Sequence, residues 1–256
     1  MRLYLISLTL LILSRRSEGT AQAPWDVRRP NRTAGVSPAV HFAGGDAAQR
    51  SQLEQALGDA ALLASKGIPI NFNMYAAMEF FGALGYIIGT SYERIIQDNF
   101  ARAAPHSTDA GYVNLTCDDP AQRCGSPTTA AYNAESGAYP ALAFCPLFFQ
   151  QRSMAEAIRY AADPDGGGHR WDLRNYDHNQ ALIVLHHIMH INAVGQPPIT
   201  DVNTTYHGGE NRALGPKYWK YLGIENERDN VAQTIRNADT CAQYAMGDNR
   251  LVSSSC

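Results

Sequence analysis

The residues with the clearest capacity for chemistry are Leu185-His186-His187-Ile188-Met189-His190. His186 and His190 lie four positions apart. A helix puts both on one face, where both rings can reach a single metal ion. Zinc favours neutral imidazole nitrogens with a carboxylate oxygen, and a catalytic zinc site keeps one position for water. The segment Thr200-Asp201-Val202-Asn203-Thr204-Thr205-Tyr206-His207-Gly208 follows the helix. Asp201 is its first carboxylate and ranks first as a third ligand, ahead of His207. His187 stands where a base for water chemistry would be needed, and it is not a carboxylate. One residue turns a helix by about 100°, so His187 is not expected to join the ion that its neighbour holds without distortion.

A buried helix has to carry this pair. Leu182, Ile183, Leu185, Ile188 and Met189 make the segment apolar around much of its circumference, as in a helix at a domain centre. Asp177 with Gln180 reads as a capping box that starts it, and Gly195 and Pro197 end it. Upstream, Leu53, Leu57, Ala60, Ala61 and Ala64 repeat at helical spacing between Asp46 and Ser65, with Gly67 and Pro69 as the stop. Further helices are expected over Met74–Phe81, Tyr92–Ala103 (closed by Pro105), Phe148–Ala162, Lys217–Leu222 and Asn230–Met246. Between Asp109 and Pro146, Gly, Thr, Asn and Pro punctuation with three cysteines predicts short strands and loops stapled by disulfides. Ala141–Phe144 is a strand candidate there. The expected class is α+β, mostly helical, with a small sheet.

The chain has 256 residues, 45% hydrophobic and 18% charged, with a formal net charge of -3. That suffices for one domain with a sizeable core. No Lys/Arg stripe is present, which argues against nucleic acid or an acidic membrane surface as partner. Arg2 followed by the short apolar run Leu3–Leu13 and small residues from Ser17 to Ala23 reads as a secretory leader, residues 1–21. Residues 22–45, rich in Pro, Arg and Asn, form an extended lead-in to a domain spanning 46–256. Cys117, Cys124, Cys145, Cys241 and Cys256 suit an oxidising compartment, where most should pair. Three Asn-x-Ser/Thr sequons, at Asn31, Asn114 and Asn203, are candidate glycan acceptors. A secreted, extracellular, monomeric glycoprotein without stable membrane association is expected.

Taken together, these segments resemble the deuterolysin-like (aspzincin) zinc metalloendopeptidases, which include lysine-specific members. That family pairs an H-E-x-x-H helix with a G-T-x-D-x-x-Y-G segment. The resemblance spans roughly residues 46 to 246. It is carried also by Phe80-Phe81, Cys117-Asp118-Asp119-Pro120 through Cys124, Ala131-Tyr132, Phe144-Cys145-Pro146-Leu147-Phe148-Phe149, Leu214-Gly215-Pro216 and Asn237-Ala238-Asp239-Thr240-Cys241-Ala242-Gln243-Tyr244-Ala245. It implies a zincin-like domain with one zinc ion held by His186 and His190. It implies Tyr206 as the stabiliser of the oxyanion, a Cys124–Cys145 disulfide, and a polypeptide substrate or ligand.

The chain departs from the family at two places. His187 replaces the glutamate that takes a proton from water and passes it to the leaving amine. The Asp-to-Tyr spacing is longer, so holding Tyr206 in register puts Asn203 at the aspartate position, and Asp201 binds only if the loop bulges. Two functions follow: a zinc endopeptidase weakened at His187, or a pseudopeptidase that binds zinc or peptide without turnover.

Overall fold

The computed structural model describes residues 42–253 except 73–74, 83–85, 109–112, 137–138, 164–171 and 225–226. The leader, the Asn31 sequon, most of the lead-in and Cys256 lie outside the described residues. The fold is mixed α+β and largely helical. Helices α1 (Ala47–Lys66), α2 (Tyr75–Phe81) and α3 (Ser91–Thr108) precede three of the four strands of a sheet. That sheet has the order β1-β2-β4-β3, built from Phe42–Ala43, Asn114–Thr116, Ala131–Ser136 and Tyr139–Phe144 in chain order. β1, β2 and β4 run parallel, and β3 pairs antiparallel to β4 at the edge. Then follow α4 (Met154–Ala162), α5 (Gln180–Met189), a hairpin of β5 (Asn203–Tyr206) and β6 (Gly209–Arg212), and α6 (Pro216–Ile224), α7 (Glu227–Thr234) and α8 (Ala238–Ser253).

α1 starts where its sequence demands. Asp46 and Gln49 form a reciprocal capping box, satisfying two donors that a helix start leaves without partners. Its inner face is Leu53, Ala56, Leu57, Ala60, Leu63 and Ala64. The alanines leave room for close approach, and α1 packs against α3, α5 and α8. α5 therefore runs through the middle of the domain, with Ala181, Val184, Leu185, Ile188 and Met189 fully buried. Phe80 stacks on Trp219 at 4.2 Å and meets Tyr244 edge-on, joining α2, α6 and α8 in the same core.

Four expected boundaries differ. α5 begins at Gln180, capped by Asn179, whose side chain accepts from Leu182 N–H at 3.1 Å. Asp177 instead accepts from His178 N–H and from Gln243 Nε2, so it belongs to α8's surroundings. α3 continues through Pro105 to Thr108; a proline in a last turn forfeits few ladder bonds. Phe148–Ala162 is broken at Gln151–Ser153 because Ser153 caps α4 with Glu156. Asn230–Met246 is two helices, parted where Arg236 and Ala238 turn their backbones onto Thr200.

Cys124 and Cys145 form a disulfide, as the family resemblance implied. Cys117 and Cys241 are unpaired, against the expectation that most cysteines would pair. Cys241 lies in the core, and burial with the nearby Asp239 pushes its thiol up to about 12.

Candidate metal centre

Two buried elements bring the chemistry together. α5 presents His186 and His187 in its last turn and His190 at its C-cap. The chain then doubles back tightly. At Gly195 a Cβ would stand 2.6 Å from Met189 O and 3.0 Å from Ile199, so only glycine permits this approach. The return brings Ile199 C=O within 3.0 Å of His190 Nδ1. Thr200 is then locked on both sides, its N–H donating to Arg236 O and its carbonyl accepting from Ala238 N–H. Val202 N–H donates to the buried Asn237 Oδ1, and Val202 O accepts from Ala213 N–H. Asp201 sits between two fixed residues.

The result is a nearly equilateral set of donors. His186 Nε2 and His190 Nε2 are 3.1 Å apart, and Asp201 Oδ1 lies 3.2 Å from each. Asp201 Oδ1 is buried, and despite these distances no N–H aims at it well enough to make a hydrogen bond. Tetrahedral zinc with bonds of about 2.0–2.1 Å separates its donors by roughly 3.3 Å. The spacing suits a divalent cation, and without one His186 Nε2 and His190 Nε2 are hydrogen-bonded to each other.

Outer contacts fix which nitrogen of each ring faces inward. Ile199 C=O can only accept, so His190 Nδ1 carries the proton and Nε2 keeps its lone pair in the neutral ring. His186 Nδ1 faces Asp239 Oδ1 at 3.7 Å, while Asp239 Oδ2 accepts from Gly215 N–H at 2.7 Å. Carboxylate and carbonyl partners of this kind orient metal-binding imidazoles. The other oxygen of Asp201 faces Arg212 at 3.7 Å, which leaves Oδ1 for the centre.

His187 lies beside the triangle. One of its ring nitrogens lies within 4.8 Å of those of His186 and His190. Asn133, on edge strand β3, holds it at two points. Asn133 Nδ2 donates to His187 C=O at 3.0 Å. Its Oδ1 then accepts from His187 Nδ1 at 2.8 Å, and the ring also faces the Ala131 backbone carbonyl. Burial, together with the neighbouring His186 and His190, drives the His187 pKa well below its ordinary value, so this ring is neutral.

His186 behaves oppositely. Burial alone would lower its pKa, but Asp201 and Asp239 outweigh burial and raise it to about 9. Burial would likewise raise Asp201, yet the two histidines hold it far below the carboxylate range. Without a cation, a proton on His186 fills the positive role. A zinc ion bound there would have to displace that proton, so zinc uptake at pH 7 is expected to release about one proton. Apparent affinity should rise about tenfold per pH unit up to about pH 9. Calorimetry in buffers of different ionisation enthalpy counts the proton; none released would contradict this charge assignment. In the metal-free fold the contribution of His186 has the reverse dependence. A folded pKa raised above the unfolded value gives stability below pH 6.5, lost as pH climbs towards 9.

The other expected site residues lie elsewhere. Asn203 is exposed and donates to Glu210. His207 sits at positive φ in the hairpin turn, against the Tyr206 ring. Tyr206 packs with Tyr218 and Tyr221 under Lys217; no hydrogen bond or ion pair among the described residues joins it to the histidines. Asn133, Asp239 and the Ile199 carbonyl were not singled out from sequence. Asn133 and Asp239 act from distant segments with no spacing signal linking them to the helix, and Ile199 acts through its backbone carbonyl, which its residue type does not mark.

No family model matches the sequence, and neither does any curated protein. Among solved structures the chain is similar to a zinc peptidase from Grifola frondosa, at 14% identity and a TM-score of 0.47. The match covers 80% of this chain and 98% of that chain. Likeness at that level leaves the site to be judged on its own side chains.

Proposed function

We propose that this chain is a secreted zinc metalloendopeptidase-type protein in which peptide-bond hydrolysis is strongly reduced. The observation that carries the reading is the triangle of His186 Nε2, His190 Nε2 and Asp201 Oδ1 at 3.1–3.2 Å. Those three residues would hold the zinc. Zinc held there would supply Lewis acidity towards a peptide carbonyl and towards water.

The chain's own residues supply the rest. β3 is an edge strand, and Cys145 N–H donates to Ala130 O. In this register the even-numbered residues of β3 face β4, and the backbone groups of Ala131 and Asn133 face outward. An extended polypeptide can pair with such an edge, beside the ring that Asn133 holds. His187 is proposed as the proton acceptor, from a ring that Asn133 and the Ala131 backbone hold. Its weak basicity and the cation beside it both oppose protonation, which is why turnover is expected to be slow. Tyr206 is proposed to donate a hydrogen bond to the developing oxyanion, after its hairpin moves towards bound peptide. Secretion is supported by the leader-like N-terminus and the Cys124–Cys145 disulfide. No helix among the described residues is long and apolar enough to cross a membrane.

The neutral, clamped state of His187 favours a second reading, a pseudopeptidase that holds zinc and peptide without cleaving. Metal analysis of the purified protein, with an assay on unfolded casein, decides among these. One zinc with slow, chelator-sensitive cleavage supports the first reading. One zinc with no cleavage selects the second. No metal uptake from a zinc-replete buffer rejects both.

A further inference from the structure

Two sequons lie within the described residues, and the fold treats them differently. Asn203-Thr204-Thr205 is on β5 of the two-stranded hairpin, where Asn203 and Thr205 are exposed and Thr204 is buried. Strand alternation puts the acceptor amide and the sequon hydroxyl on one solvent-facing side. Asn203 Nδ2 donates only outward, to the exposed Glu210 at 2.8 Å. Asn114-Leu115-Thr116 is β2, an interior strand paired with β1 on one side and β4 on the other. Asn114 is half-buried and Thr116 buried, and the Thr116 hydroxyl accepts from Asp118 N–H at 3.0 Å. A branched oligosaccharide is bulky and hydrated. On β2 such a group would have to displace the packing around Thr116, on the side that it shares with Asn114.

We propose that Asn203 is an N-glycosylation site and that Asn114 is not. The donor is a lipid-pyrophosphate-linked oligosaccharide. The bond from sugar C1 to the pyrophosphate oxygen breaks and C1–Nδ2 forms. The amide gives up one proton, and the lipid pyrophosphate leaves with the bonding electrons. The glycan replaces the contact to Glu210 at little cost, because both groups are exposed. One residue, Val202, separates it from Asp201, at most about 7 Å of chain, so it flanks the metal centre.

The test is the full chain behind a heterologous leader in a eukaryotic secretory host, which makes the result independent of the chain's own N-terminus and of any metal. Secreted and cell-retained pools are deglycosylated enzymatically in heavy-oxygen water and mapped by mass spectrometry. Marked aspartate is expected at 203 and not at 114. Asn203→Gln and Thr205→Ala should each lose the mark at 203 without loss of secretion, whereas Asn114→Gln should change nothing. An unmarked 203 in the secreted pool overturns the proposal, and so does a mark at 114 in that pool.

Discussion

His190→Ala is expected to abolish stoichiometric zinc binding. The change removes one corner of a triangle whose other corners are fixed by separate parts of the fold. Losing a supporting contact alone commonly costs 10- to 100-fold in metal affinity, so losing a donor should cost about 100-fold or more. The cleanest readout is the stabilisation that zinc confers, since the substitution also leaves Ile199 C=O without its partner. Zinc at about a thousand times its Kd should stabilise the unsubstituted protein by about 4 kcal/mol. For a domain of this size that is a rise in Tm of roughly 8–16 °C. In His190→Ala the shift should vanish at the same zinc concentration. A retained shift would mean that the ion sits elsewhere, and Asp201→Ala would then be equally silent.

His187→Glu should change activity most. General acid–base assistance is worth roughly 10²- to 10⁴-fold, and a gain within that range is expected for hydrolysis of an unfolded protein substrate. The physical difference is charge. An imidazole that accepts a proton becomes a cation beside another cation, whereas a carboxylate becomes neutral. Glutamate also offers two acceptor oxygens where His187, clamped at Nδ1, offers a single lone pair. Zinc content and Tm should be measured on the same samples. With zinc bound and folding intact, an unchanged rate would sink the idea that a missing base is what slows this site.

The split between what could be read and what could not has a physical pattern. α1 was legible almost to the residue, because Asp46, Gln49 and Gly67 are local signals at its ends. The His186–His190 pair was legible because a helix converts a spacing of four into proximity. Asp201 could be ranked first but not placed, since its position depends on Asn237 and Ala238 gripping Thr200 and Val202 from far along the chain. Asn179 capping α5 in place of Asp177 reflects competition for Asp177 by Gln243 on α8. The hold that Asn133 has on His187 was not legible, since β3 lies more than fifty residues before the ring it clamps.

Those outer contacts come from three places: Asn133 on β3, Ile199 in the return after α5, and Asp239 at the start of α8. The rings therefore surrender their rotational freedom when the chain folds, before any ion arrives. Immobilising such side chains at the moment of capture would otherwise cost about 0.5–1.5 kcal/mol apiece. A cation bound there would meet a preset cradle, whose grip changes in β3 or α8 would loosen while leaving every donor atom untouched.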